Sequence, residues 1–366
     1  MPLLEEAQVI RETYEVERFL GQGAFAEVYR VKHRFLGRQA MKVFKRVGMS
    51  LDEIHDMLAE AILLSRIGHP NIVRVFDANV FESPNGNCGY FTMENVPGGS
   101  LDKFWRSFGS SFIPVETTVD LVKQVCRGLG QAHQEKPPII HRDIKPQNIL
   151  VGYEPDGLRA RVADFGLAKK VNPLTLLATA AGTLQFKPPE AFAQRKGDSP
   201  AADVWAIGAT LYLLLTDRLP VEMPEATTWT AKHLFDKPIT PPTEVNPDIS
   251  KGLEKVVMRA LEKSPQNRFP TARELLHDLD AAPLHDQASP APQKSVSSEP
   301  TKAVLGNPSP MDGSHARNLV AKALEARRGG RLGEAADLME EAFNKSPDLR
   351  NKYAHQVKLW RCGVSM

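Results

Sequence analysis

Polar and apolar residues alternate along parts of the first quarter of the chain, and apolar spacings of three and four take over further on. The alternation predicts short strands within residues 14–44 and 71–93. Amphipathic helices are predicted for residues 51–67, 115–134, 253–261 and 272–279. The run Val204–Leu215 is apolar on nearly every side, which is typical of a helix buried in a core. A small strand-rich part followed by a larger helical part is therefore expected.

The two ends of the chain differ from this middle part. Residues 1–13 are predicted to form a short helical lead-in. Residues 282–313 are rich in Pro, Ser and Ala without apolar periodicity, which predicts a flexible linker. Residues 314–366 recover helical spacing around a glycine-rich break at 329–333, and they resemble one tetratricopeptide helix pair. A single pair buries its apolar face poorly. Residues 314–361 are therefore expected to dock on the rest of the chain, self-associate or bind a partner, or merely to cap the chain.

Composition excludes some classes of partner. The chain has 366 residues, a formal net charge of +2 and 25% charged residues, so nucleic acid is not an expected partner. The three cysteines are widely spaced, which argues against disulfides and fits a reducing compartment. The N-terminus lacks a secretory pattern, and the longest apolar run is too short to cross a bilayer. We expect a cytoplasmic protein without membrane insertion.

Chemistry is concentrated in residues 141–148, which read HRDIKPQN, and in the Asp164-Phe165-Gly166 triplet that follows. Together they offer a carboxylate to orient a hydroxyl, a lysine, and two oxygen ligands for hard metal ions. Phosphoryl transfer requires this set, because it depends mostly on positioning and on neutralising phosphate charge. The stretch matches the pattern H-R-D-L-x-x-x-N, with Ile144 at the leucine position.

Two further motifs precede this stretch in the chain. Glycines 21 and 23 lie between two predicted strands, where they could cradle phosphates or simply form a hairpin turn. The chain continues as a strand at Val28–Lys32, whereas a dinucleotide-binding fingerprint requires a helix there. Lys42 follows on the next strand between apolar neighbours, and Glu60 lies on the helix predicted for residues 51–67.

With these motifs, residues 14–281 resemble the eukaryotic-type (Hanks-type) Ser/Thr protein kinases, in particular soluble bacterial members. The resemblance implies an α+β fold with two lobes: a small antiparallel β lobe with one key helix, and a larger helical lobe. It also implies ATP with Mg²⁺, for which Mn²⁺ could substitute, and protein substrates. Lys145, two residues after Asp143, is the feature that resembles Ser/Thr rather than tyrosine kinases.

The resemblance also implies roles for single residues. Asp143 would orient the substrate hydroxyl, and Lys145 would stabilise the transferring phosphate. Lys42 would contact the α- and β-phosphates and pair with Glu60. Asn148 and Asp164 would bind Mg²⁺. The ATP pocket would comprise Leu20, Gly21, Gln22, Gly23, Ala24, Phe25, Val28, Ala40, Lys42, Met93 as gatekeeper, Glu94 and Val96 of the hinge, and Leu150.

A third set of residues would have structural or regulatory roles. Thr175 and Thr179 are candidate phosphosites of an activation segment that runs from Asp164 to Glu190. The structural residues implied are Thr183, Glu190 paired with Arg268, Asp203 beneath the catalytic loop, and a spine of His141, Phe165, Leu64 and Val75. His133 is interpreted as a surface or packing residue rather than a catalyst.

Three alternatives remain at this point. The chain could be a pseudokinase-like scaffold that acts through its C-terminal segment, since Ala26 and Pro188 depart from the family pattern. It could be a small-molecule phosphotransferase of similar fold. Two features favour a platform for protein substrates instead: the segment GTLQFKPPE at residues 182–190, and Arg268. It could also be a kinase whose main role is interaction through the tail.

Overall fold

A computed structural model gives the fold of the chain. The structure describes residues 2–23, 25–46, 48, 50–83, 86–109, 112–154, 157–165, 184–192, 199–221, 234–286, 310–328, 331–346, 349, 353 and 357. These residues belong to two compact units, each with a core of its own. The first comprises Met1–Trp105 and Ser111–Asp286, and the second comprises Arg106–Ser110 and Gln287–Met366.

The first unit begins with a six-stranded antiparallel sheet. Its strands, in chain order, are β1 (Val9–Ile10), β2 (Tyr14–Gln22), β3 (Ala26–His33), β4 (Gly37–Phe44), β5 (Val75–Ser83) and β6 (Gly86–Glu94). They are arranged in the order β1-β2-β3-β4-β6-β5. Alternate residues such as Val16, Val31 and Met41 fill a core on one face, as the period of two predicts. The opposite face carries Val28, Ala40 and the residues of the candidate site.

The prediction of a helical lead-in over residues 1–13 is wrong. The described part of this segment consists of bends and turns around the two-residue strand β1, which pairs with β2 through Val9 and Glu15. Ala7, Arg11 and Glu12 have φ between 50° and 64°, a region closed to a right-handed helix. The main-chain N–H of Leu3 donates to Glu27 Oε2 at 2.8 Å, and that of Leu4 donates to the Tyr29 hydroxyl at 3.1 Å. Tertiary hydrogen bonds and the burial of Leu4 therefore determine the conformation.

One helix packs against the sheet. Helix α1 (Leu51–Ser65) lies against β5 and β6. Gly89 of β6 makes this approach possible, because a Cβ at that position would lie 3.0 Å from Ile54. A short connector after β6 leads to α2 (Leu101–Arg106) and then to α3 (Val115–Gln134), whose bounds agree with the predicted helix.

The rest of the first unit is helical apart from one hairpin. Its remaining elements are β7 (Ile149–Glu154), β8 (Gly157–Val162), α4 (Pro189–Phe192), α5 (Pro200–Thr216), α6 (Pro242–Val245), α7 (Lys251–Ala260) and α8 (Ala272–Ala281). Helix α5 is buried along nearly its whole length, as its apolar sequence predicts. The Ser199 side chain accepts a hydrogen bond from the Ala202 N–H and caps the start of α5. Helix α3 packs against β8, α5 and α8, so it supports the β7–β8 hairpin.

The second unit is a helical hairpin, and its limits differ from the predicted ones. Helix α9 (Pro310–Arg328) includes the last four residues of the predicted linker, and α10 (Leu332–Lys345) packs against it. The buried side chains of this unit are mostly small, with Ala323, Ala326, Ala335, Ala336, Met339, Phe343 and Val357 in the core. At the other end, residues 282–286, which were predicted to belong to the linker, are grouped with the first unit in the structure. Across the described parts of the chain, every helix is too short or too polar to cross a membrane.

Candidate active site

The loop that contains Asp143 is held from below by one buried carboxylate. Asp203 lies in the first turn of α5 and is 1% exposed. Its Oδ2 accepts the N–H of His141 at 2.7 Å, and its Oδ1 accepts the N–H of Arg142 at 2.8 Å. Burial acts to raise the pKa of Asp203, but the hydrogen bonds from the His133 side chain and the His141 main chain act against it, and the pKa lies below the ordinary value of 3.8. An ionised Asp203 therefore fixes the backbone that leads to Asp143.

His133 completes this support, and of the two predicted alternatives, surface or packing, the structure agrees with packing, because His133 is buried. Its Nε2 lies 3.0 Å from Asp203 Oδ2, and its Nδ1 accepts the main-chain N–H of Ala272 at 3.3 Å. His133 has one ring nitrogen against Asp203 and the other against the main chain of Ala272. His133 on α3 thus links α5 to the start of α8. Sequence reasoning missed this role, because 70 residues separate His133 from Asp203.

Asp143 lies among groups that can hold its carboxylate in one orientation. Lys145 Nζ lies 2.9 Å from Asp143 Oδ2. Asn148 Nδ2 donates to the same oxygen at 2.9 Å and to the Asp143 carbonyl at 2.7 Å. The side chain of Asp143 is 22% exposed, so its carboxylate is accessible from solvent. Arg142 has a φ of 69°, a strained conformation that is concentrated at functional sites.

Lys42 contacts the carboxylate of Asp164 directly. Its Nζ lies 2.7 Å from Asp164 Oδ1, and its side chain is only 8% exposed. Burial acts to raise the pKa of Asp164, but the Lys42 ammonium outweighs it and lowers the pKa below 3.8. The predicted partner Glu60 falls within α1, but its side chain is outside the described residues. An ionised carboxylate beside a buried ammonium is suited to holding a metal ion and phosphates.

The candidate metal ligands fit a magnesium ion in their donor chemistry. Asn148 uses its Nδ2 as a donor to Asp143, so its amide oxygen is the atom left to face a cation. Asp164 adds an ionised carboxylate. Mg²⁺ in phosphoryl-transfer sites is bound by one or two such side chains, with phosphate oxygens and waters as the other ligands. No group of three or more His, Cys, Asp or Glu side chains suited to a metal occurs among the described residues.

The predicted spine residues are buried side by side. The rings of His141 and Phe165 have centroids 4.5 Å apart, and both residues are at most 1% exposed. Burial lowers the pKa of His141, so the ring is neutral and its Nε2 lies 2.9 Å from the Ala163 carbonyl oxygen. Leu64 of α1 and Val75 of β5 line one small cavity together with Phe165 and the gatekeeper Met93. This arrangement links α1 to the catalytic loop.

The predicted nucleotide residues lie on the strands and connector that surround this site. Gly21 pairs with Val28 across the β2–β3 turn, and Ala40 of β4 pairs with Met93 of β6. Leu150 lies on β7, where it bridges to Ser100 of the connector. Leu20, Gln22, Gly23, Phe25, Glu94 and Val96 are also described, whereas Ala24 lies outside the described residues. The predicted glycine loop, the predicted hinge and the predicted catalytic loop therefore lie in the same compact unit.

The segment that was predicted to carry regulation is only partly described. Gly166, Thr175, Thr179 and Thr183 lie outside the described residues. Its far end is anchored, because Arg268 and Glu190 form two parallel hydrogen bonds of 2.7 Å each. The Lys187 ammonium donates to the carbonyl of Arg142, which ties this end of the segment to the catalytic loop.

Comparison with known proteins gives one consistent result. The sequence model of the family described as protein kinase domain matches residues 14–279. Serine/threonine-protein kinase PknB of Mycolicibacterium smegmatis is 31% identical over 323 residues, which are 85% of this chain and 49% of that protein. PknB of Mycobacterium tuberculosis is 32% identical over 74% of this chain and 43% of that protein. The chain thus spans half or less of the length of these relatives.

Solved structures agree with the sequence relatives. The kinase domain of Mycobacterium tuberculosis PknI superposes with a TM-score of 0.57 and 25% identity, over 76% of this chain and 99% of that domain. A double mutant of the same domain gives a TM-score of 0.58 at 25% identity and is covered over 98% of its length. The predicted two-lobed α+β fold is confirmed.

Proposed function

Because the chain belongs to the protein kinase family, we propose that it transfers the γ-phosphoryl group of Mg-ATP to serine or threonine hydroxyls of proteins. The observation that carries this proposal is the convergence of Asp143, Lys145 and Asn148 on one point. Lys42 and Asp164 lie in the same unit, and Asp203 holds the loop from beneath.

Each group has a task that its surroundings allow. Asp143 Oδ2 is oriented by Lys145 and Asn148, so its carboxylate can accept the hydrogen bond, and then the proton, of the attacking hydroxyl. Lys145, whose Nζ lies 2.9 Å from Asp143 Oδ2, would neutralise charge on the phosphoryl group during transfer. Lys42 would hold the α- and β-phosphates once nucleotide binds. Asn148 and Asp164 would hold Mg²⁺, or Mn²⁺ in its place, and the metal would neutralise phosphate charge.

The first experiment measures phosphate transfer from Mg-ATP to a generic protein substrate and to the chain itself. The wild type should incorporate label, and Asp143→Ala should lose it while still binding nucleotide. Equal incorporation by the two proteins would contradict the role of Asp143. A wild type that binds ATP but transfers nothing would favour the pseudokinase-like scaffold, which no contact among the described residues supports.

We also propose that the chain modifies its own activation segment at Thr175 or Thr179. Support comes from Arg142, which precedes Asp143 and could pair with a phosphorylated residue and order the segment. Phosphosite mapping after incubation with Mg-ATP should find one of these threonines in the wild type and neither in Asp143→Ala. Full activity of the double alanine variant would contradict a requirement for the modification.

For the helical hairpin of the second unit we propose a role in self-association or partner binding. Its core of small residues is that of a single helix pair, and such pairs usually need a neighbour to cover their outer face. We place the protein in the cytoplasm, where ATP is available and the free thiols of Cys88 and Cys126 stay reduced. Deletion of residues 287–366 followed by sizing and a kinase assay tests the role of the hairpin.

A further inference from the structure

The hinge carries a side-chain contact that none of the sequence motifs involves. Strand β6 ends at Glu94, directly after the gatekeeper Met93, and the Glu94 main-chain N–H donates to the Arg74 carbonyl at 2.8 Å. The Glu94 carboxylate lies 3.0 Å from Nε of Arg161 on β8. Arg161 also donates through Nη2 to Glu154 at the end of β7. One guanidinium therefore bridges the hinge and the β7–β8 hairpin.

The hairpin register places this guanidinium beside the proposed nucleotide pocket. Arg161 is directly opposite Leu150 in the β7–β8 pair, so the two side chains lie on the same face. Leu150 is a proposed neighbour of the adenine ring. Gly152, two residues further along β7, leaves the space that the contact requires. A Cβ at Gly152 would lie 3.4 Å from Arg161 Nη1 and 3.4 Å from Val96 Cγ1 of the hinge.

Main-chain contacts bring the same hairpin against the connector after the hinge. The Val151 N–H donates to the Gly99 carbonyl at 2.8 Å, and Leu150 forms a bridge with Ser100. These bonds fix the connector, but they do not reach Glu94 itself. Among the described groups of the hairpin, the Arg161 side chain is the one that contacts Glu94. At 14% exposure it is better shielded from water than a surface ion pair.

We propose that Arg161 is a positioning residue for the adenine base: by holding Glu94 it sets the hinge main-chain groups that hydrogen-bond the base edge. The inference rests on the proposed function. Arginine suits this task better than lysine, because its planar fork can satisfy Glu94 and Glu154 together. The two carboxylates, each about one third exposed, are thereby kept in fixed places.

The chain offers a matched control on the same strand. Arg159 lies two residues before Arg161 and pairs with Glu154 Oε2 at 3.0 Å. Arg159→Gln removes one guanidinium from the same cluster but leaves the contact between Arg161 and Glu94. The informative variants are Arg161→Gln, Glu94→Gln and the double variant, all in the full-length chain.

Nucleotide binding is measured directly, with ATP and with inosine triphosphate, which has a carbonyl in place of the adenine amino group. We expect Arg161→Gln and Glu94→Gln each to weaken ATP binding about five-fold and inosine triphosphate binding less than two-fold. The double variant should be no weaker than either single variant, because both remove the same contact. In steady-state assays KM for ATP should rise about five-fold and kcat should change less than two-fold.

The outcomes separate this inference from the proposed function. If the wild type binds neither nucleotide, the proposed function fails. A second outcome overturns the inference alone. In it the wild type binds ATP and transfers phosphate, and the affinities of Glu94→Gln and Arg161→Gln for both nucleotides equal those of the wild type and of Arg159→Gln. An equal loss of affinity for both nucleotides, or a loss of kcat alone, also overturns it, because a misplaced hinge should affect recognition of the base. Glu94 is partly exposed, so its variant tests the inference even if Arg161→Gln fails to fold.

Discussion

At the scale of single residues, the ion pair between Arg268 and Glu190 shows how burial changes the contribution of an ion pair to stability. The Arg268 side chain is fully buried, and besides Glu190 it donates to the carbonyls of Ala201, Glu262 and Lys263. A buried guanidinium that loses its partners leaves several polar groups without compensation. The pair joins the end of the predicted activation segment to the helical part of the first unit.

Arg268→Lys should therefore lower the free energy of unfolding by about 3 kcal/mol, because one ammonium cannot reproduce the two parallel bonds and the carbonyl contacts. The same substitution at Arg259 is the control, since the pair of Arg259 with Asp278 is about half exposed and should contribute less than about 1 kcal/mol. Urea denaturation of both variants gives the comparison. Equal losses would show that burial of the pair does not matter.

Asp203 leads to a prediction about pH. Its pKa in the folded protein lies below the ordinary value of 3.8, so the ionised carboxylate stabilises the fold above that value. This contribution is lost as the pH falls through the depressed folded pKa. Asp203→Asn should be less stable than the wild type by about 3 kcal/mol at pH 7, because the amide cannot accept all the bonds from His133, His141 and Arg142.

The difference between Asp203→Asn and the wild type should be constant from pH 7 to about pH 5 and shrink below about pH 4. Urea denaturation at a series of pH values measures it. A difference that stays the same down to about pH 3 would mean that Asp203 is not the group that titrates. Nucleotide binding at pH 7 by both proteins confirms that each is folded.

Individual residues were predictable from the sequence where chemistry is encoded locally. Residues 141–148 and Asp164 are recognisable because the proposed metal ligands and the proposed catalytic carboxylate occur at fixed short spacings. Partners such as His133 with Asp203, or Glu94 with Arg161, are about 70 residues apart. Nothing in local spacing indicates which buried arginine faces which carboxylate, because this depends on how the elements pack. The roles assigned to the site residues remain predictions until activity is measured.

At the scale of elements, long periodic segments were predictable and the chain start was not. Helix α3 begins and ends where its periodicity predicts, and the apolar α5 is buried as expected. Residues 1–13 contain several apolar residues, but tertiary contacts rather than helical spacing decided their conformation. Leu4 enters the core beside Tyr29, while Val9 pairs at the sheet edge and remains 59% exposed.

Two alanine substitutions in this N-terminal segment test that account. Leu4→Ala should lower the free energy of unfolding by about 3 kcal/mol, since it removes a side chain that is only 3% exposed. Val9→Ala should cost less than about 0.5 kcal/mol, because its side chain is mostly in water. Chemical denaturation of the full-length variants gives both values. If Leu4→Ala behaves like Val9→Ala, the segment does not contribute to the core of the first unit.

At the scale of the whole molecule, the end of the first unit is set by hydrogen bonds rather than by composition. The protein kinase model ends at residue 279, and the Pro-rich composition predicts a linker from 282. The described chain nevertheless returns to the start of α7 after that point. The buried Ser250 donates its N–H to the Leu284 carbonyl at 3.1 Å, and Lys251 donates its N–H to Asp286 Oδ1 at 3.0 Å.

A chain that ends at residue 281 should therefore be less stable than one that ends at residue 286. Removing residues 282–286 leaves the buried N–H of Ser250 without its acceptor and exposes the first turn of α7. An unsatisfied buried donor costs about 1–3 kcal/mol, and the bonds that the Ser250 hydroxyl and the Lys251 N–H lose to Pro283 and Asp286 add to this, so we expect a difference of at least about 2 kcal/mol. Urea denaturation of the two truncated chains measures the difference directly. Identical midpoints would place the end of the first unit at residue 281, and the bonds to Leu284 and Asp286 would then contribute nothing to its stability.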